Sequence, residues 1–176
     1  MEIDHLIQTY PLALPLFFFL ASLLLSKIPL FARYDFFGKK LNTKHLPLIL
    51  ITILALVFLN LGIHLLGSLG GVDDTQGVVA YAQTLAVVPL ITLLYVIFVA
   101  LAEEMFFRGF AYTVFGNIPS ALFFAAFHLG YGSILEVLGT FLAALILNYS
   151  RKEGQSILPG FIAHVAFNLF IIFIWV

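Results

Sequence analysis

The residues best suited to chemistry stand in the stretch Ala102-Glu103-Glu104-Met105-Phe106-Phe107-Arg108-Gly109. Two carboxylates and a guanidinium fall there within six residues, directly after an apolar run over residues 78–101. A charged side chain at the centre of a bilayer costs roughly 2.5–3.5 kcal/mol on insertion scales, so charges kept there mark a functional site by default. Glu104 and Arg108 are four apart, which puts them on one helical face within pairing reach. Glu103 lies ~100° round the same helix and is free to face elsewhere. Two further spacings of four follow, Phe124 to His128 and His164 to Asn168. Glu103 is the candidate general base, a carboxylate placed to take and give a proton.

The rest of the chain says where these groups must sit. Of 176 residues, 62% are hydrophobic and 10% charged, against roughly 25% charged in a soluble domain. A soluble fold of this length could not hide that much apolar surface, so the composition specifies an integral membrane protein. The formal net charge of −1 offers no bulk attraction for nucleic acid. With no Cys, disulfides, thiolate metal sites and a Cys nucleophile are excluded. The opening Met1-Glu2-Ile3-Asp4 is acidic where a signal peptide is basic, so the first apolar segment is expected to stay as an anchor. No lipidation motif, internal repeat or second domain is evident. The expectation is an all-α, polytopic helix bundle forming one membrane domain over 1–176.

Polar punctuation divides the apolar sequence into about six segments: 11–31, 46–66, 78–114, 119–130, 133–150 and 157–176. A spanning helix needs ~20 residues, so the fourth segment is too short to cross and reads as a half-membrane helix ending at Gly130-Tyr131-Gly132. Irregular backbone at membrane depth is tolerated only when buried in protein or lining a wet cavity. Strict alternation puts Lys27, Arg33, Lys39, Lys40, Lys44, Arg108, Arg151 and Lys152 on one side, and the 67–77 loop with Asp73 and Asp74 on the other. The positive-inside rule then predicts cytoplasmic basic loops and both termini outside. Gly67 and Gly71 have GxxxG spacing, but at a helix end they read as a turn rather than a dimer face.

Depth ties the polar groups together. From a turn at 115–119, Glu103 lies ~18 Å back along its helix and His128 ~14 Å onward, at 1.5 Å per residue. His164 lies ~15 Å past Gly154 by the same rise. All three come near half of the ~30 Å hydrocarbon thickness. Scattered structural polar residues have no reason to agree in depth, whereas residues converging on one cavity do.

Glu103-Glu104-x-x-x-Arg108, then Phe124-x-x-x-His128, then His164-x-x-x-Asn168 resemble the three ordered motifs of the CAAX prenyl endopeptidase and bacteriocin-processing family, also called the Abi family, of intramembrane metalloproteases. The resemblance covers about 90–170, and residues 1–85 carry no matching motif. It implies an intramembrane endopeptidase whose catalytic residues are Glu103, Glu104, His128, His164 and Asn168, supported by Arg108 and Phe124. Its substrates would be peptides or proteins, lipidated or membrane-bound, met within the lipid bilayer. The small chain suits a prokaryotic cell membrane.

Two forms of that site stay open at this point. In one, Glu103, His128 and His164 are His₂Glu ligands of a divalent metal, zinc by preference, with water in the fourth position. In the other no metal is bound: Glu103 and His128 hold the water, while His164 and Asn168 donate to the oxyanion. Arg108 is expected to neutralise Glu104, leaving Glu103 for chemistry, and Phe124 to pack the cavity wall. His64 and Asn60 read as packing residues of the second segment, Glu136 as a loop charge, and His5 and His45 as residues without a role. Tyr10 and Trp175 fit an outer aromatic belt. Two other classes compete. A proton- or ion-coupled carrier also buries Glu, His and Arg, though carriers usually show repeats. A non-catalytic immunity-type binding protein would retain the same motifs.

Overall fold

The computed structural model describes residues 12–28, 37–72, 74–85 and 88–175. Among these the chain is an all-α membrane helix bundle of seven helices. They are α1 (Ala13–Leu25), α2 (Leu46–Gly70), α3 (Gln76–Leu85), α4 (Pro89–Phe115), α5 (Asn117–Ala126), α6 (Ile134–Gly154) and α7 (Leu158–Phe170, continued as a π turn over Ile171–Trp175). Three are long and apolar enough to cross a membrane: α2 with its preceding turn (Thr43–Gly70), α4 and α6. Their outer faces carry bare apolar side chains, such as Phe58 at 68% exposure and Leu69 at 77%. Lipid is the solvent that suits such faces.

The apolar sequence over 78–114 does not form one helix. It divides into α3 and α4 at Val88-Pro89. A proline clashes with helical geometry in the residue before it, and Val88 accordingly leaves the helical region (φ −127°, ψ 89°) while Pro89 opens α4. A second departure lies deeper in α4, where Glu104–Ala111 adopts π rather than α geometry and every residue is buried. Such wide turns are rare and gather at functional sites.

Aromatic packing holds the π stretch in place. Phe18 of α1 lies 4.9 Å, ring centre to ring centre, from each of Phe106, Phe107 and Phe127. Phe107 meets Phe124 of α5 edge-on at 5.0 Å. These Phe residues form the core against which the charged face of α4 is pressed.

The short fourth segment is present as expected. The ten residues of α5 span ~15 Å, and the chain then turns through Leu129–Tyr131 to Gly132, whose positive φ of 70° closes the turn. Asn148 of α6 anchors its start by donating to Asn117 O at 3.0 Å and Ser120 Oγ at 2.9 Å. The start of α6 is fixed from the α2–α3 loop. Ser133 Oγ accepts from Glu136 N at 2.9 Å and donates to Asp74 Oδ1 at 2.8 Å, and Asp74 also accepts from the Ile134 and Leu135 amides. Desolvation acts to raise the Asp74 carboxyl but is outweighed by these hydrogen bonds together with one from its own backbone, which hold it below the ordinary carboxylate range.

Gly71 ends α2 in the left-handed region (φ 66°), as a turn residue should. Gly67 does not turn. It is helical and buried, and a Cβ there would reach the Leu135 side chain at 2.6 Å, so it is a point of close approach between α2 and α6. Arg33, Tyr10, His5 and Asp73 lie outside the described residues.

Candidate active site

One cavity of about 260 Å³ opens among α2, α3, α4, α5, α6 and α7. Glu103, His128, His164, Asn168 and Phe124 all line it. The convergence expected from depth is therefore present, with the groups arriving from α4, from the turn after α5, and from α7.

His164 is the hub. Its Nδ1 lies 3.0 Å from Glu104 Oε1, and its Nε2 lies 3.7 Å from Glu103 Oε2. An ionised carboxylate only accepts, so Nδ1 carries the hydrogen that bonds Glu104. Nε2 then faces Glu103 and the cavity. The adjacent glutamates have separate environments. Glu104 is fully buried, whereas the Glu103 side chain keeps 15% exposure towards the cavity. Glu104 Oε1 also stands 3.3 Å from Arg108 Nη1, and both side chains have zero exposure. The expected pairing is present, with the correction that it is built on a π turn and not an α-helical face. The contact is an ion pair by distance; no Arg108 nitrogen satisfies hydrogen-bond geometry.

Phe124 does more than fill the wall. The Arg108 guanidinium carbon lies 4.4 Å above its ring, a cation–π contact. The same ring lies 4.7 Å from that of His128 and 6.3 Å from that of His164. His128 Nδ1 is 2.9 Å from Phe124 O. A carbonyl cannot donate, so Nδ1 carries the hydrogen and Nε2 keeps a free lone pair. Gly160 of α7 lets the backbone approach Glu104: a Cβ there would lie 3.2 Å from Oε2.

Zinc sites of the His₂Glu kind draw three such donors to about 2.0–2.2 Å from one ion. The residue types of Glu103, His128 and His164 suit that set. Their placement does not form it: among the described residues no three His, Cys, Asp or Glu side chains stand together as a metal-binding group.

Residues 85–170 match the model of the family described as type II CAAX prenyl endopeptidase Rce1-like. This part of the chain belongs to that family. The match spans α4 to α7 and contains Glu103, Glu104, Arg108, Phe124, His128, His164 and Asn168. No curated protein and no solved structure matches the chain. The Rce1-like region places the protein in general among CAAX-type intramembrane proteases, which need a peptide or protein substrate.

Three residues given no part in the site by the sequence do line the cavity. Asn60 and His64 of α2 were expected to be packing residues, yet both face it. Glu136 is not a loop charge: it lies in the first turn of α6 and also lines the cavity. The spacing of Asn60 and His64, four apart like His164 and Asn168, was the available signal.

Proposed function

We propose that this protein is an intramembrane endopeptidase that hydrolyses a peptide bond with water activated by Glu103. The observation that carries the reading is the division of labour between the two glutamates around His164. Glu104 is buried, paired with Arg108 and bonded to Nδ1, so it orients the ring. Glu103 meets the same ring at Nε2 and opens to the cavity. When His164 holds protons on both nitrogens, Glu103, Glu104, Arg108 and His164 sum to zero charge. A low-dielectric site favours that balance.

In the reaction, a water is held by the Glu103 carboxylate and the free lone pair of His128 Nε2. Glu103 takes one proton as the water oxygen bonds to the substrate carbonyl carbon. The oxyanion accepts from His164 Nε2–H and the Asn168 amide. Glu103 then gives its proton to the amine nitrogen as the C–N bond breaks, releasing an amine and a carboxylic acid. Positioned base and oxyanion donors of this kind are each worth roughly 10²–10⁴ in rate.

The substrate class implied by the family is a CAAX-type or other membrane-associated peptide. The topology proposed from the positive-inside rule has both termini outside and the basic loops in the cytoplasm. The test is single-turnover cleavage of a peptide library in H₂¹⁸O by purified protein in micelles. One ¹⁸O atom in the new carboxylate supports attack by water. Unlabelled product in the first turnover, as attack of water on the glutamate carbon of a Glu-acyl anhydride would give, refutes it. Elemental analysis of the same sample with a His164→Ala control decides the metal. Stoichiometric zinc lost in the variant would replace the metal-free scheme with the His₂Glu one.

A further inference from the structure

The cavity has a second set of polar lining residues, on α2 and α6, that the hydrolytic scheme does not use. Two close approaches build it. Gly67 of α2 meets Leu135 of α6, and a Cβ on Gly139 of α6 would lie 3.7 Å from Ile63 of α2. These contacts lock the two helices at residues 63–67 and 135–139. The neighbouring positions on both helices, Asn60 and Glu136, line the cavity.

Asn60 Nδ2 is shielded from solvent and has no hydrogen-bond partner. Glu136, partly buried, also lines the cavity, where neither Lys nor Arg is present to pair with its carboxylate. Leaving a buried donor or acceptor unpaired costs roughly 1–3 kcal/mol. A cavity lined by that unpaired amide and by the Glu136 carboxylate holds them for something that enters.

The physics of the setting names the entrant's chemistry. Hydrolysis requires a peptide in extended form, with main-chain N–H and C=O groups released from secondary structure. Water is scarce at membrane depth, so each released group must meet a protein partner. The second set offers one donor and one acceptor, which match the carbonyl and amide that alternate along an extended chain.

We infer that Asn60 and Glu136 bind the substrate main chain beside the scissile bond, Asn60 donating to a carbonyl and Glu136 accepting from an amide. Recognition of this kind is independent of side-chain sequence. The inference rests on the hydrolytic reading above. It assigns Asn60 and Glu136 to substrate positioning, not to bond breaking.

The probe is an eight-residue fluorophore–quencher peptide selected by cleavage from a library, in detergent micelles. A series of analogues replaces one non-scissile amide at a time by an ester, which removes its N–H. With unaltered protein, one ester is expected to lower kcat/KM about fivefold, the worth of one net hydrogen bond. Glu136→Leu should be indifferent to that ester. Asn60→Leu should raise KM about fivefold while kcat stays within about twofold. If every non-scissile ester is cleaved like the amide by unaltered protein, the inference is overturned, and this arm needs no variant to fold. An unchanged KM in Asn60→Leu would likewise overturn it. Loss of cleavage in Glu103→Gln beside those negative results leaves hydrolysis standing and removes only the role of the second set. If unaltered protein cleaves no library member, both fall together.

Discussion

Replacing Arg108 by Met leaves the Glu104 carboxylate without its cation in a position with zero solvent exposure. Removing one partner of a buried pair costs about 3–5 kcal/mol, because the other charge is stranded. The 4.4 Å contact between the guanidinium and Phe124 is lost as well, and a desolvated cation–π contact is worth about 2 kcal/mol. Methionine recovers part of that by packing against the ring. The expected destabilisation is therefore about 4 kcal/mol, a large share of a native stability of roughly 5–15 kcal/mol. Denaturant titration in micelles measures it. The double variant Glu104→Gln/Arg108→Met removes both charges and should recover most of the loss, since a buried pair exchanged for neutral groups is often close to neutral. Its turnover should not recover, because the amide introduced by Glu104→Gln is a weaker acceptor for His164 Nδ1–H than the carboxylate that orients the ring. A loss below about 1 kcal/mol for Arg108→Met, or a double variant weaker than the single, would refute the charge balance assigned to these four groups.

Gly160→Ala places a methyl 3.2 Å from Glu104 Oε2 and should displace the carboxylate that orients His164, lowering kcat about tenfold or more with little change in KM, as steady-state kinetics would show. The lowered Asp74 carboxyl gives the α6 cap a pH dependence. Its contribution is complete above the unfolded value of 3.8 and is lost as pH falls through the lower folded value, so hydrogen exchange at Ile134 should accelerate only in acid, and Asp74→Asn should abolish that acid step. Gly38 has a φ of 74°, and a Cβ there would collide with the Gln155 carbonyl oxygen. Gly38→Ala should therefore release the 37–39 loop from the α6–α7 turn, costing about 1–3 kcal/mol in thermal unfolding while KM is unchanged.

The apolar segments, the half-membrane α5 and the meeting of Glu103, His128 and His164 were legible because each leaves a mark in residue type and spacing. Helix length follows from apolar run length, and depth follows from rise per residue. Elsewhere the deciding information is tertiary. The break before Pro89 was signalled by the proline itself, but the continuous apolar sequence on either side masked it. The π geometry of Glu104–Ala111 has no residue signature, since these residues would suit an α-helix equally and the packing of Phe18, Phe106 and Phe107 decides the register. Asn60, His64 and Glu136 look like isolated polar residues until Gly67 and Gly139 bring α2 and α6 together and turn them towards the cavity. Asp74 likewise becomes a cap only once its loop reaches the start of α6.

Glu103 is the residue on which the hydrolytic scheme depends, and Glu103→Gln is its most direct test. The substitution keeps the size and polarity of the side chain and removes its negative charge together with its capacity to take a proton. The scheme predicts that kcat on a cleaved library peptide falls by about 10²–10⁴, with the thermal stability of the protein in micelles retained. Turnover equal to that of the unaltered protein would contradict it.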